Sequence, residues 1–527
     1  MLVDRRVRPK LEKALERYHT LVYEAVADVP MQIAETEEHL RSPQQAAEKL
    51  QWRDAESGMK WGKAWNSAWF RGVATLPEAC AGREVFVGAK ISGVERLLFV
   101  DGIAAGLLDS YEAGDKVPDH PSGRACASGK AGQKLEIAIE AYAGHPQNKD
   151  HLGQSYEQTF TRVQLLLRRD DVKDFYLDLR TLLSLTSYLD QNSLRYNRIM
   201  VGFEEVYKIL PQIPEEVPEG QWRPAVNKAR EILRPLLEAK NGDTMPFIGL
   251  TGHSHLDTAW QWTLDETIRK GARTFSTALS MLEQYPEYRF MQSAPCRAEM
   301  MRVHYPEIFE RIREAVKEGR WEPNGGMWVE PDCNIPSGES MIRQFLFGHA
   351  FTKKWFDYTG DVYWQPDVFG YSGAIPQIMR GCGIRFFMTT KLSWNDTNRF
   401  PYDTFEWKGI DGTSVIAHFN NIHCWPEPRT LHDQWMNVQH KDVQDRRYVP
   451  YGFGDGGGGP QDEMVEISRR VVDLEGCPRS RHMSVSEYMN GLERDLADRL
   501  PVWSGELYLE LHRGTLTSIH GIKRGNR

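Results

Sequence analysis

The residues of this sequence that could carry out chemistry begin with the segment GHSHLDTAW. His255 and Asp257 are separated by one residue and follow a strand-like run, MPFIGLT. If the extended backbone continues, the two side chains share a face and can bind one metal ion. A triplet of this kind, taken by itself, more often marks a capped loop with solvated histidines. Its interpretation therefore depends on the residues that join it.

Two further segments place candidates after predicted strands. In WQPDVFGYSG, Asp367 could be a catalytic carboxylate, a metal ligand or the N-cap of the helix IPQIMRG. In LYLELHRGT, His512 ends the strand-like segment PVWSGELYLEL. Mixed imidazole and carboxylate ligands suit zinc, are compatible with cobalt or manganese, and exclude metals that prefer thiolates. The convergence of His255, Asp257, Asp367 and His512 at strand ends therefore predicts one divalent metal ion.

A fourth segment, YGFGDGGGGP, carries Asp455 within a run of glycines. A phosphate-binding loop is excluded, because no Lys-Ser/Thr pair follows the glycines and no helix opens on them. Two interpretations stay open, a mobile loop that brings a carboxylate over a substrate and a plain surface turn, and the segment alone favours the turn.

The elements that must position these residues alternate along the second half of the chain. Helical stretches such as FSTALSMLEQY, EIFERIREAVKEG and MIRQFLFGHAFTKKWF are each followed by a short apolar segment. Repeated helix-then-strand units predict a parallel sheet, and their number favours a β/α barrel over an open sheet. Catalytic residues of such barrels lie at the carboxyl ends of the strands.

Four regions are predicted for the whole α/β chain. Residues 1–45 read as an N-terminal helix, residues 46–150 as a sandwich-like antiparallel β-domain, residues 151–243 as a helical connector, and residues 244–527 as the barrel. In the β-domain, Trp61, Trp65 and Trp69 could bind a sugar face, but an aromatic core is the favoured interpretation.

Composition limits the function classes. The 527 residues carry a net charge of −8, with lysine and arginine dispersed, so neither nucleic acid nor an anionic membrane is indicated and an uncharged substrate fits better. The seven cysteines are scattered without CxxC spacing, which favours a reducing compartment. The charged N-terminus lacks a signal-peptide h-region, and no run of about 18 apolar residues occurs. We therefore expect a cytoplasmic protein.

Six blocks of the sequence resemble segments of glycoside hydrolase family 38 α-mannosidases, in the family's order. They are HSHLDTAW, GGMWVEPDCNIPSGESMIRQFLFG, WQPDVFGYSGAIPQI, KLSWNDTNRFPYDTFEW, FGDGGGGP and LYLELHRGT. The resemblance covers about Met245 to the end of the chain, and Trp52 to Ala143 is similar to the β-domain of the cytosolic and bacterial branch. It implies a seven-stranded β/α barrel and retaining hydrolysis of terminal α-linked mannose from oligosaccharides.

The resemblance also implies roles for individual residues. It assigns zinc to His255, Asp257, Asp367 and His512, and the nucleophile to Asp367. Asp455 is the candidate acid–base residue, on a looser match, because the position of Gly456 is acidic in some branches of the family. The residues expected to form the sugar pocket or its rim are Trp260, Lys391, Trp394 and Asn395. His253 is expected to orient a metal ligand.

One departure from the family concerns the C-terminus. Family members continue beyond the HRGT block into helical and β-domains, so we expect those domains to be absent here and turnover to be weak. A metal-dependent carbohydrate deacetylase and a mannose-binding remnant without activity remain alternatives. The sequence leaves open the linkage preference, the metal bound in the cell and a homo-oligomeric state.

Overall fold

The N-terminal helix is shorter than the sequence predicts. In the computed structural model, which describes residues 2–108, 120, 122–146 and 156–526, helix α1 spans Leu2–Thr20. Its apolar side chains Leu11, Ala14 and Tyr18 are fully buried. The prediction of helix up to residue 45 is wrong beyond Thr20, because two strands follow before the short helix α2 (Pro43–Lys49).

An antiparallel β-domain follows, as the sequence predicts. Its strands are β1 (Tyr23–Asp28), β2 (Gln32–Thr36), β3 (Arg53–Asp54), β4 (Lys60–Trp61), β5 (Ser67–Thr75), β6 (Val85–Ile91), β7 (Glu95–Val100), β8 (Ile103–Leu108), β9 (Gly123–Cys126), β10 (Lys134–Tyr142) and β11 (Gln158–Arg168). One sheet has the order β1-β11-β6-β9, with β4 paired to β11, and the other has the order β3-β2-β5-β10-β7-β8. β11 lies inside the region predicted to be a helical connector.

The two sheets enclose an apolar core. Phe70, Leu98 and Ile139 from one sheet and Val87 and Leu165 from the other are all fully buried in it. This is the expected result when alternate residues of each strand face inward.

Two of the three clustered tryptophans belong to buried packing. Trp61 and Trp69 are 2% and 1% exposed, and their rings contact Phe70 and Phe99. The aromatic-core interpretation therefore holds for these two. The partly exposed Trp65 stacks on a histidine ring.

Three helices form the predicted connector, namely α3 (Asp170–Thr186), α4 (Leu194–Ile209) and α5 (Glu219–Glu238). Ser193 caps α4 by accepting a hydrogen bond from the backbone N–H of Tyr196. α1, α3, α4 and α5 pack together through one buried apolar cluster. Within the ranges that the structure describes, no helix is both long and apolar enough to cross a membrane.

The second half of the chain alternates helices with mainly parallel strands. The helices are α6 (Leu264–Gln284), α7 (Pro295–His304), α8 (Pro306–Lys317), α9 (Gly338–Phe356), α10 (Ile375–Gly381), α11 (Pro428–Met436), α12 (Asp462–Arg470), α13 (Val485–Leu496) and α14 (His520–Asn526). The strands are β12 (Phe247–His253), β13 (Phe290–Met291), β14 (Trp321–Glu322), β15 (Val362–Gln365), β16 (Phe386–Thr389), β17 (Thr404–Lys408), β18 (Ser414–Phe419), β19 (Arg446–Tyr451), β20 (Arg479–His482) and β21 (Val502–Ser504).

These strands form two sheets. One has the parallel order β14-β13-β12-β19, with β20 also parallel to β12. In the other, β15, β16 and β18 are parallel, β17 is antiparallel to β18, and β21 pairs with β17. The fold is therefore a mixed α/β protein with an antiparallel β-domain ahead of a parallel α/β region. The strand-like segment PVWSGELYLEL is a strand only at Val502–Ser504.

Candidate active site

Polar side chains gather after the carboxyl ends of several parallel strands. His255 and Asp257 follow β12, Asp367 follows β15, Lys391 follows β16 and Asp455 follows β19. Because parallel strands end at the same edge of a sheet, residues that are remote in sequence can meet there.

His255 is the centre of this group. The side chain is 2% exposed, and Nε2 lies 3.5 Å from Oδ1 of Asp257 and 3.5 Å from Oδ2 of Asp367. On the other side of the ring, Nδ1 lies 3.4 Å from Oε2 of Glu330. Neither ring nitrogen has a hydrogen-bond partner among the described residues. The imidazole therefore lies between three carboxylates.

The electrostatic field at His255 favours positive charge. Burial lowers the pKa of the imidazole, but the charge of Glu330, followed by Asp257 and Asp367, raises it well above its ordinary value. Glu330 is also buried, and Arg297 and His255 hold its pKa well below the ordinary range despite the burial. Ser293 donates a hydrogen bond to Oε1 of Glu330. The carboxylates therefore create a site that a cation would occupy favourably.

Asp367 lies between two positively charged groups. Besides the contact with His255, Oδ1 pairs with Nζ of the buried Lys391. Burial raises the pKa of the Asp367 carboxyl group, but His255 and then Lys391 hold it below its ordinary value. The Lys391 ammonium also lies 3.6 Å from the ring centre of Trp394. Asp367 is not the N-cap of α10, which is Ala374, so that alternative is wrong.

Asp455 lies on a tight loop with a left-handed backbone conformation. Its φ is +53°, and its side chain is 52% exposed. Nε2 of His423, on the segment after β18, lies 3.9 Å from Oδ1 of Asp455. A Cβ atom at Gly454 would lie 1.7 Å from the same Nε2, so the close approach of loop and imidazole requires glycine.

Three of these side chains meet closely enough to share one ion. One ligand atom each from His255, Asp257 and Asp455 lies within 4.8 Å of the other two. Residues 246–506, which contain all three, match the glycosyl hydrolases family 38 N-terminal domain, and residues 27–161 match the alpha-mannosidase jelly roll domain. The chain belongs to glycosyl hydrolase family 38.

Several relatives of this family 38 chain are named alpha-mannosidases. It is 34% identical over 499 residues to human Alpha-mannosidase 2C1, covering 92% of this chain and 46% of the human protein. It is 32% identical over 496 residues to Alpha-mannosidase G of Dictyostelium discoideum, covering 91% and 44%. An alpha-mannosidase structure from Enterococcus faecalis V583 is similar with a TM-score of 0.42 and 20% identity, over 50% of this chain and 31% of that one. The family 38 chain spans less than half the length of these relatives.

The cluster differs from the ligand set that the resemblance implies. Asp455 belongs to the three-residue cluster, whereas Asp367 does not, although its Oδ2 lies 3.5 Å from Nε2 of His255. His512 is exposed, has a φ of +61°, and begins a short 3-10 helix rather than ending a strand. Its ring lies 4.8 Å from that of Phe369 and 5.7 Å from that of Trp394, at the rim of the site.

Of the predicted pocket residues, two tryptophans are exposed, whereas Asn395 is hydrogen-bonded to the backbone. Trp260 and Trp394 are 46% and 44% exposed, and Trp394 lies beside the site through its contact with Lys391. Asn395 has a supporting contact instead, because Oδ1 accepts a hydrogen bond of 2.7 Å from the backbone N–H of Glu510. His253 is buried and stacks on Trp364 at 4.7 Å, with neither ring nitrogen hydrogen-bonded within the described ranges.

Two residues of the site were missed by the sequence analysis. Glu330 lies in the block GGMWVEPDC, and His423 lies in NNIHCW after β18. The available signal was position, since each follows a strand, as the predicted residues do. Neither stands in a spacing that marks a ligand, so only the folded chain shows that they face His255 and Asp455.

The family's metal ion fits the residues that are present. Two ligands with metal bonds of roughly 2.1 Å at a tetrahedral angle lie about 3.4 Å apart. The distances of 3.5 Å from Nε2 of His255 to Asp257 and to Asp367 agree with that spacing. With a metal ion on Nε2, the imidazole would keep its proton on Nδ1, which faces the Glu330 carboxylate, and the Nε2 lone pair would be given to the ion.

Proposed function

We propose that this chain is a retaining α-mannosidase that removes terminal α-linked mannose from oligosaccharides with the help of one divalent metal ion. The observation that carries the proposal is the meeting of His255, Asp257, Asp367 and Asp455 after separate strands of a family 38 region. The names of the relatives, all alpha-mannosidases, support the same substrate class.

The proposed nucleophile is Asp367. Its pKa is held below the ordinary value by His255 and Lys391 despite burial, so the carboxylate is ionised at neutral pH. It attacks the anomeric carbon and forms a glycosyl ester, while the bond to the leaving oxygen breaks. Lys391 fixes the second oxygen of the carboxylate and so orients the attacking one.

The proposed acid–base residue is Asp455. In the first step it gives its proton to the leaving oxygen, and in the second it takes a proton from the water that hydrolyses the ester. An exposed carboxylate on a glycine-rich loop can reach both the leaving group and solvent. If retention holds, the carboxyl groups of Asp367 and Asp455 lie about 5 to 5.5 Å apart with substrate bound.

A metal ion at this site, which we propose to be zinc with cobalt or manganese as alternatives, would be held by His255, Asp257 and Asp367. It would bind the 2- and 3-hydroxyls of mannose and supply positive charge beside the anomeric carbon. His512 remains the predicted fourth ligand. The exposed indoles of Trp260 and Trp394 offer apolar faces to the C–H side of the sugar.

The finer architecture is part of the proposal. The seven strands β14, β13, β12, β19, β15, β16 and β18 are the proposed wall of a β/α barrel. Asn324, which follows β14, accepts a hydrogen bond from the backbone N–H of Val362 at the start of β15, so the two sheets are joined there. The proposed regions remain the N-terminal helix, the β-domain, the connector and the barrel. A cytoplasmic location also remains a prediction.

The test is to purify the chain, measure its metal content by elemental analysis, and assay release of p-nitrophenol from the α-mannoside. The anomer formed first, read by NMR, should be α-mannose. Asp367→Asn should abolish turnover, whereas Asp442→Asn, at a side chain that is 81% exposed, should retain it. Metal without turnover would contradict the proposal and indicate a mannose-binding protein.

A matched pair of variants separates the roles of the two carboxylates. Asp455→Asn should reduce kcat by about 10²–10⁴-fold, the usual contribution of acid–base catalysis, with metal content unchanged. A loss of metal in this variant would instead make Asp455 a ligand, as its place in the cluster with His255 and Asp257 allows. His512→Ala tests the fourth ligand by the same elemental analysis.

A further inference from the structure

Six charged side chains are buried where the β-domain packs against α6. None is more than 6% exposed, and three acids balance three bases. They are Glu95 on β7, Glu140 on β10, and Glu266, Arg269, Lys270 and Arg273 on α6. Buried ions of this kind are stable only when each is paired, so the positions of all six are mutually constrained.

Glu140 and Glu95 have different ion-pair partners on α6. Glu140 pairs with Arg269 at 2.8 Å and with Arg273 at 3.0 Å. Glu95 pairs with Arg273 through one oxygen and with Nζ of Lys270 through the other. The carboxylate that holds the Lys270 ammonium is therefore supplied by the β-domain.

Lys270 in turn lies against the loop that carries Asp455. A Cβ atom at Gly456, whose φ is +83°, would lie 3.0 Å from Cδ, 3.2 Å from Cε and 3.1 Å from Nζ of Lys270. The loop backbone therefore rests on the lysine stem and its ammonium, one residue after Asp455.

The β-domain also touches the same loop directly. A Cβ atom at Gly458 would lie 2.3 Å from Cδ2 of Leu107, on β8, and 3.3 Å from Nε2 of His120. A run of four glycines has few intrinsic restraints, because glycine populates most backbone conformations. Contacts from outside the loop must therefore fix its conformation.

We propose that Lys270 is a positioning residue for the acid–base carboxylate, and that Glu95 makes the β-domain part of the active-site apparatus. Glu95 fixes the Lys270 ammonium, Lys270 supports the backbone at Gly456, and the support sets where Asp455 meets the glycosidic oxygen. This inference rests on the proposed acid–base function of Asp455. A displacement of about 1 Å in a catalytic group can reduce the rate about 10²-fold.

The test compares Glu95→Gln and Lys270→Met with Glu140→Gln as the matched control. Glu140 is also buried and also pairs with Arg273, but its second partner is Arg269, whereas the second partner of Glu95 is Lys270. Substrates are an alkyl α-mannoside, whose leaving group needs a proton, and 2,4-dinitrophenyl α-mannoside, whose leaving group does not. We expect Glu95→Gln and Lys270→Met to reduce kcat/KM, which reports formation of the glycosyl ester, about 10–100-fold for the alkyl mannoside and to leave kcat/KM for the dinitrophenyl mannoside nearly unaffected.

The control variant should affect both substrates equally or not at all, and all variants should keep their metal. Urea unfolding of the three proteins shows how much stability each has lost. The proposal is overturned if Glu140→Gln shows the same dependence on leaving group, or if Glu95→Gln and Lys270→Met slow both substrates to the same extent.

A readout without turnover keeps this inference separate from the proposed function. Amide hydrogen exchange across residues 452–461 should speed up in Lys270→Met and Glu95→Gln relative to Glu140→Gln. If the wild-type chain hydrolyses no mannoside, the proposed function fails while faster exchange still shows that Lys270 holds the loop. Unchanged exchange in Lys270→Met would overturn the positioning role.

Discussion

Nδ1 of His255 lies 3.4 Å from Oε2 of Glu330, a carboxylate contributed by a different strand–helix connection. Glu330 is itself held by Arg297 at 3.2 Å and by a hydrogen bond from Ser293. With a metal ion bound, this fixed negative charge would keep the proton on Nδ1 and leave the Nε2 lone pair for the ion on the other side of the ring, where Asp257 and Asp367 lie. The candidate metal site therefore includes a residue, Glu330, that would orient a ligand without contacting the ion.

We expect Glu330→Gln to weaken metal binding about 10–100-fold, because the substitution keeps the shape of the side chain and removes the charge that orients His255. The measurement is a competition titration against a chelator at neutral pH. Glu322→Gln is the control, since that buried carboxylate is bound by the backbone N–H groups of Val485 and Ser486 instead. Equal metal affinity in the wild type and Glu330→Gln would contradict the assignment.

The buried ion pairs of α6 predict a large stability effect. Arg273 is 0% exposed and pairs with Glu95, Glu140 and Glu266. Arg273→Met leaves three buried acids facing two buried bases, Arg269 and Lys270, so one negative charge is uncompensated and we expect the free energy of unfolding to fall by about 3–5 kcal/mol. Lys353→Met, which breaks an exposed pair with Asp357, should change it far less, because solvent screens that pair. Urea unfolding measures both, and similar values for the two variants would refute the prediction.

His418 predicts a loss of stability in mild acid. The side chain is 0% exposed. Nε2 accepts a hydrogen bond from the backbone N–H of Tyr448, and Nδ1 is hydrogen-bonded to Oγ1 of Thr404. Burial, and secondarily Arg447, hold its pKa well below the ordinary value. Below a pH of about 6.5, His418 is protonated in the unfolded chain but stays neutral in the folded chain. The free energy of unfolding therefore falls as the pH falls, by about 1.36 kcal/mol per pH unit for this one group.

We expect His418→Gln to remove this contribution, because an amide oxygen can accept the Tyr448 N–H without titrating. The free energy of unfolding, measured from pH 7 to pH 5, should fall less steeply in this variant than in the wild type. His520→Gln, at an exposed position, should keep the wild-type slope. Identical slopes for His418→Gln and the wild type would show that His418 is not the titrating group.

Gly454 predicts a steric effect confined to the site. An alanine Cβ there would overlap Nε2 of His423, so either the loop or the imidazole must move. Gly454→Ala should therefore reduce turnover and lower stability by about 1–3 kcal/mol. Gly381→Ala is the control, because in the part of the chain that the structure describes no side chain or distant backbone atom lies within 4 Å of its Cβ position. If His423→Ala in the Gly454→Ala background restores no stability, the overlap is not the cause.

The errors in the N-terminal prediction share one physical cause. Tyr23–Asp28 continues the helical spacing of the first residues, and Gln158–Arg168 lies in a region predicted to be helical. The two segments pair with each other as β1 and β11, and local periodicity contains no information about a partner so distant along the chain. Because each strand is the other's hydrogen-bonding partner, failing to predict β1 also removes the reason to predict β11.

The segment before His512 shows a different limit. Leu507 and Leu509 are buried and Tyr508 is exposed, so the alternation in LYLEL describes burial correctly. The segment is nevertheless not a strand, because only an isolated bridge from Leu507 to Tyr371 pairs its backbone. A pattern of side chains fixes which face is buried, whereas a strand also needs a neighbouring backbone.

The sequence by itself predicted the strand β12, the helix-then-strand units that end in β13, β14, β15 and β16, and the residues that follow β12 and β15. These follow from local periodicity and turn residues, which is why His255 and Asp367 could be expected to meet. Only the tertiary structure decided that Glu330 orients His255, that Asp455 joins it, and that Lys270 supports the loop. Those relationships depend on distances between separate strand ends and between two packed domains, and no local pattern encodes them.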